Sequence, residues 1–364
     1  MTWIASTDHQ EARFSPNGLG VDRHETPLVE LSSNSTMTRG TLLLETRMSP
    51  NGKPQVLFGY DRAFPWRRSL SIQAIPGGGI TLVNSDHGEA CHATLRWRGT
   101  GRADVVRITF AWDTNLGWAQ LSLERPEEST VTSVPIHNLK PVYIQDLHDA
   151  ILKKGDRIFA SDAVFVALST GVEPVGPMPT LTLGTPIQTP TGHRSLDTLE
   201  RGDVVSTDSG RNVPVLQRIT RTVPALGSFA PIRLRAPYFG LRQDLIAAPD
   251  QRLIIRGSDV EYLFGQEAVL VPARHLVNGY AARYETTGST ITYSHLLLPD
   301  HETLLAAGSL VESLYVGRIR RKPTELDASL LAKYGRNDLP EHGKPVFPIL
   351  RAFEAITLVD QRAA

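Results

Sequence analysis

Histidines, carboxylates and tryptophans offer the first chemical options in this chain. His301 is followed directly by Glu302, and His295 lies six residues upstream. A metal site needs such groups converging on one ion. This spacing is not diagnostic of a metal site for His295, His301 and Glu302, and a hydrogen-bonded structural role is expected for His301; His275, beside Arg274, is also expected to be structural. Trp66, Trp97, Trp112 and Trp118 each carry a flat face that complements a pyranose ring. Tryptophan is heavily buried on average, so core packing comes first for each. Trp118, in Asn115-Leu116-Gly117-Trp118, sits nearest a turn and is the candidate ligand-binding residue. Asp113 and Asn115 beside it supply too few oxygens for calcium, which takes roughly six to eight. Cys91 is the only cysteine, which excludes an intrachain disulfide framework and any Cys-rich metal cluster. It is expected as a small buried apolar residue. Arg318, Arg320, Arg321 and Lys322 form the one dense basic run, read as solvated surface with an acidic partner as the alternative.

The elements that must position these residues are strands. Gly (29) and Pro (25) are spread along 364 residues and leave few stretches long enough for an ordinary helix. Between them run short β-rich segments: 41–48, 55–60, 70–75, 80–84, 93–97, 105–112 and 118–124. Val106, Ile108 and Phe110 share one strand face. Pro76-Gly77-Gly78-Gly79 is a turn between two such runs. This cadence predicts a β-sandwich over residues 35–170, behind an N-terminal segment 1–34. A short helix is expected at 145–153. Three prolines and two glycines in 171–179 mark a linker. Strand candidates resume at 185–189, 204–206, 213–219, 232–236, 253–256, 268–272 and 290–298, with a late helix at 325–334. Length alone favours two domains. Thirty-eight basic residues balance 38 acidic ones, which argues against a broad nucleic-acid footprint. No apolar run approaches the ~20 residues of a membrane span. The opening MTWIASTDHQEARF lacks a signal-peptide pattern. The expectation is a cytoplasmic or non-classically secreted protein without a cofactor.

A second kind of signal begins at Gly184. The stretch Gly184-Thr185-Pro186-Ile187-Gln188-Thr189-Pro190-Thr191-Gly192, followed by Leu196-Asp197-Thr198-Leu199-Glu200-Arg201-Gly202-Asp203-Val204-Val205, resembles the opening of a Hint (hedgehog/intein) domain. Leu263-Phe264-Gly265 and the run Val269 to Gly279 resemble the middle of the bacterial, alphaproteobacterial form of that domain. Tyr293-Ser294-His295 through His301-Glu302 resembles its late strand pair. The resemblance covers roughly 178–317 and assigns a Hint domain to 180–317, with a C-terminal extension at 318–364. It implies an all-β, horseshoe-shaped fold of curved hairpins. Independently, Leu196, Leu199 and Val204 are expected to pack inward, with Gly202-Asp203 turning into the next strand.

The same resemblance implies an activity, the rearrangement of the peptide bond preceding the domain's nucleophile. That chemistry needs an activated nucleophile, a proton donor within reach and donors for the developing oxyanion. The nucleophile position points to Thr180, where cysteine is usual; its hydroxyl is a far weaker acid than a thiol. The family's Ser/Thr-Pro-x-His-Arg falls on Ala248-Pro249-Asp250-Gln251-Arg252, so Gln251 replaces the proton-donating histidine and Ala248 the hydroxyl. His301 occupies the late histidine position. Thr180, Gln251 and His301 are thus the family's catalytic positions, read as inactive. The expectation is a Hint protein with a degenerate self-processing site, acting as a non-enzymatic scaffold or interaction protein. The alternative is autoprocessing at Pro179–Thr180 through an ester. Residues 35–135 more weakly resemble a laminin-G or concanavalin-like sandwich, which implies a glycan or protein ligand.

Overall fold

A computed structural model describes residues 3–20, 35–48, 54–75, 78–96, 104–128, 130–153, 155, 157–286 and 288–363. Trp97 and the turn residues Pro76 and Gly77 lie outside them. The chain divides into two compact units, Met1–Gly176 and Pro177–Ala364.

The first unit is a sandwich of two antiparallel sheets. One has seven strands in the order Thr130–Pro135, Trp118–Arg125, Asp104–Asp113, Arg39–Met48, Ala163–Ser169, Trp3–Thr7 and Ala12–Phe14. The other has five, in the order Ile158–Phe159, Gln55–Arg62, Arg68–Ala74, Gly79–Asp86 and Glu89–Arg96. Alternation drives both. In Arg68–Ala74, Leu70, Ile72 and Ala74 are buried while Ser69, Ser71 and Gln73 are partly exposed. Leu42, Leu44, Ile108 and Phe110 from the first sheet meet Leu70, Ile72, Leu82 and Leu95 from the second in one core. Ile144–Leu152 forms the expected short helix and packs Leu147, Ala150 and Ile151 into that core. Residues 3–14, placed by the sequence ahead of the sandwich, contribute two of its strands. The Pro/Gly-rich 171–176 stretch forms no strand or helix, yet it is tied down. Thr41 Oγ1 donates to Gly171 O at 2.7 Å, Ser169 Oγ donates to Glu173 at 2.7 Å, and Gly176 N donates to Glu124 at 3.0 Å.

The second unit has two six-stranded antiparallel sheets of shorter strands. The first runs Gln217–Pro224, Thr290–Leu297, Leu181–Thr182, Leu245–Ala247, Ile232–Leu234 and Ala282–Tyr284. The second runs Gly192–Ser195, Pro186–Thr189, Thr303–Ala306, Ser309–Glu312, Arg252–Arg256 and Ala268–Pro272. Leu196 and Leu199 are fully buried as expected, but Val204 is 39% exposed and Val205 takes the inward place. Gly202, at φ 93°, makes the turn, and Asp203 accepts from Glu200 N at 2.9 Å. The register therefore starts one residue later than the sequence implied.

Residues 319–358 are built into this unit. Leu326, Leu331 and Leu339 pack with Ile219 and Leu297, while Leu350, Ala355 and Leu358 join the main core. The expected late helix spans only Pro323–Asp327. Ser329 interrupts it by donating to Leu326 O at 2.8 Å and accepting from Leu331 N at 3.1 Å, a side chain competing with the helical ladder. Two helices escape the sequence reading, Ser258–Phe264 and Ala352–Ala363. No helix among the described residues is long and apolar enough to cross a membrane.

Candidate functional site

Strand register brings the surroundings of Thr180 together. Leu181 pairs with Ala247 on one side and Ser294 on the other, both antiparallel. One residue outward along each ladder, Thr180 falls between Ala248 and His295. Ala248 N accordingly donates to Thr180 O at 2.7 Å. Gln251 reaches the same point through the turn 248–251, closed by Gln251 N donating to Ala248 O at 3.0 Å. Ala273 N then holds Gln251 O at 2.8 Å.

The side chains converge in a buried space. The Thr180 hydroxyl donates to Gln251 Oε1 at 2.7 Å and lies 3.1 Å from His295 Nδ1. Gln251 Nε2 donates to Arg252 O at 2.9 Å, which fixes the amide so that its carbonyl faces Thr180. His295 Nε2 lies 2.8 Å from Glu312 O. A backbone carbonyl only accepts, so Nε2 carries the ring proton and Nδ1 presents a bare lone pair. Burial depresses the His295 imidazole to about 4, against the opposing pull of Glu312, so the ring is neutral at pH 7.

His301 stands one group further away. Its Nε2 faces Glu312 Oε2 at 3.2 Å, and its Nδ1 accepts from Val346 N at 3.0 Å. Arg252 Nη1 donates to the same Glu312 oxygen at 3.1 Å. The structure thus brings Thr180, Gln251 and His295 into contact, with His301 joined to them through Glu312. The sequence reading left out the roles of His295, Glu312 and Arg252. A signal existed for His295, a lone imidazole entering the apolar run Leu296-Leu297-Leu298, where an unsatisfied polar group would be costly.

Chemically, this is a hydroxyl with two acceptors, only one of which titrates. An imidazole takes and returns a proton near neutral pH; an amide does not.

With this geometry in place, residues 179–318 match the Hint domain family. This chain carries a Hint domain. Solved structures similar to it include the bacterial intein-like domain from Clostridium thermocellum, at 15% identity, covering 38% of this chain and 99% of that one with a TM-score of 0.29. The MchDnaB-1 intein matches at 16% identity, covering 37% of this chain and 98% of that one with a TM-score of 0.25. No curated protein matches the chain.

The remaining candidates around the Hint site are engaged elsewhere. Glu302 is paired with Arg211, and its backbone N–H donates to Ser313 Oγ at 3.0 Å. His275 lies in the turn Ala273–Leu276, and burial pushes its imidazole down to about 4. Arg320 and Arg321 of the basic run both bind Glu341, and Lys322 binds Glu325 at 2.9 Å. Those three cations therefore have acidic partners within the chain, and Arg321 and Arg320 hold the Glu341 carboxyl down at about 2.

In the sandwich, Trp112 is fully buried and its Nε1 donates to Met37 O at 2.7 Å. Trp66 is half-buried, donating to Asp86 at 2.7 Å and stacked on His87. Trp118 is 38% exposed at the end of its strand. Asp113 caps the adjacent turn by accepting from Leu116 N at 3.3 Å and faces Arg39 at 3.6 Å. Cys91 is buried, with Sγ 3.8 Å from Asn84 Oδ1.

Proposed function

We propose that this Hint domain is a retained scaffold whose self-processing chemistry is idle, joined to a sandwich that serves as a recognition module. One observation carries the reading. The position that the Hint resemblance gives to a proton-cycling histidine holds Gln251, fully buried and with both ends of its amide in hydrogen bonds. An amide in that state neither supplies nor accepts a proton at neutral pH. The test is the intact mass of the purified chain, with and without hydroxylamine. A single species near 40.0 kDa is expected. Two fragments meeting at Pro179–Thr180 would refute idleness.

A second reading, autoprocessing through an ester, is favoured by the 3.1 Å approach of Thr180 Oγ1 to His295 Nδ1. Nucleophile and base are within hydrogen-bond reach there, which is the first geometric requirement of such chemistry. For the sandwich, half-exposed Trp118 supports a glycan ligand. A glycan array should show binding that is lost in Trp118→Ala; unchanged binding in that variant removes the assignment.

A further inference from the structure

We infer that Gln251 is a latch, its side-chain carbonyl holding the single proton of the Thr180 hydroxyl away from His295, the residue placed to remove it. This deepens the idle-site reading and rests on it.

The argument is one of proton counting. Thr180 has one hydroxyl proton and two acceptors beside it, Gln251 Oε1 at 2.7 Å and His295 Nδ1 at 3.1 Å. Neither acceptor can turn away. The amide is pinned by Arg252 O at 2.9 Å, and the imidazole by Glu312 O at 2.8 Å. The shorter contact takes the proton, leaving His295 Nδ1 opposite an oxygen that offers it nothing. Thr180, Gln251 and His295 are all buried, so water does not relieve the competition.

Removing the amide acceptor leaves His295 as the sole partner of the hydroxyl. The Thr180 proton then passes to His295 Nδ1 as Oγ1 bonds to the Pro179 carbonyl carbon. The Pro179–Thr180 C–N bond breaks as its nitrogen takes that proton back, giving an ester and a free amine. Hydroxylamine would attack the ester carbonyl, regenerate the Thr180 hydroxyl and leave Pro179 as a hydroxamate. His295 can act as base over a wide range. Burial holds it at about 4; the Glu312 carbonyl and carboxylate raise it, and His301 lowers it. Arg252 meets the same Glu312 carboxylate.

The experiment uses the full chain and intact-mass readout in hydroxylamine at neutral pH. Gln251→Met keeps the side-chain length without the amide acceptor; Gln251→Glu keeps an acceptor. Gln251→Met should release at least about tenfold more fragment than the parent, a conservative share of what acid–base catalysis contributes. Gln251→Glu should stay intact, as should Gln251→Met combined with His295→Asn or Thr180→Val.

A folded Gln251→Met that cleaves no faster than the parent overturns the latch, and so does one that cleaves equally well with His295→Asn. Cleavage of the parent refutes idleness separately, and the latch is still judged by the variant-to-parent ratio. Should Gln251→Met fail to fold, nitrogen NMR of His295 decides. Thr180→Val should leave the His295 Nδ1 resonance in place, because the hydroxyl proton rests on Gln251. A displaced resonance overturns the latch.

Discussion

Residues 1–176 bury Arg68 against Asp146, with Nε and Oδ2 2.5 Å apart, and place its guanidinium 4.5 Å from the centre of the Tyr143 ring. Residues 177–364 instead bury a hydroxyl, an amide and a neutral imidazole around Thr180. The first joins a strand residue, Arg68, to the helix Ile144–Leu152, and the second is set by antiparallel ladders, but they differ above all in what can happen inside them. A guanidinium bound to a carboxylate is locked in its charge state and holds elements together. A hydroxyl beside an imidazole lone pair has somewhere to send a proton. The first cluster is suited to fixing geometry; the second sets a hydroxyl between an amide oxygen and a basic ring nitrogen.

The sharpest way to break this contrast is Arg68→Ala. It removes the nearer partner of the buried Asp146 carboxylate, leaving Arg62 Nε at 3.9 Å, and should cost about 3 kcal/mol in urea unfolding of the first unit. Restoring neutrality with Asp146→Leu in the same chain should recover much of that loss. Gln251→Met leaves Arg252 O without its side-chain donor and should cost about 1–3 kcal/mol in the second unit. A larger loss there than from Arg68→Ala would mean the Thr180 cluster is the structural keystone, reversing the comparison.

Acid separates the units next. Burial holds His275, His295 and His342 each at about 4 in the fold, below the ordinary 6.5. As pH falls below about 6.5, the unfolded chain binds protons that the folded chain refuses. The stability these neutral rings contribute is complete above about 6.5 and is lost toward 4. Asp146 runs the other way. Burial raises its carboxyl despite the Arg68 partner, so acid relieves part of its cost. Between pH 7 and 4.5 the melting temperature of the second unit should fall by about 5 °C or more, and further than that of the first. Calorimetry with the two transitions assigned by hydrogen exchange measures this. The smallest effect belongs to half-exposed Trp118, whose change to Ala should stay within about 0.5 kcal/mol.

The legible parts of the fold were those in which a local pattern carries its own meaning. Alternation in Arg68–Ala74 needs only a period of two, and Gly202 announces a turn because a Cβ is unfavourable at positive φ. The short helix at Ile144–Leu152 was visible for the same reason. Residues 3–14 were not, because Trp3–Thr7 is buried throughout and shows no alternation. The late helix was cut short by Ser329, whose competing hydrogen bonds depend on where the backbone has already gone.

The Thr180 site divides along the same line. Its chemical content is set by residue type alone: Thr180 has no thiol, Gln251 no titratable nitrogen and Ala248 no hydroxyl. The choice of partner is not. His295 lies 115 residues from Thr180 and meets it because Leu181 pairs with Ser294, whereas a slip of one residue would turn the imidazole to the opposite face. Which of the two acceptors, Gln251 Oε1 or His295 Nδ1, lies nearer the Thr180 hydroxyl is a matter of a few tenths of an ångström, with the amide anchored by Arg252 O and the ring by Glu312 O. Residue identity determines which groups can move a proton, while their distance and orientation, on which hydrogen bonding depends steeply, exist only once the sheets have closed.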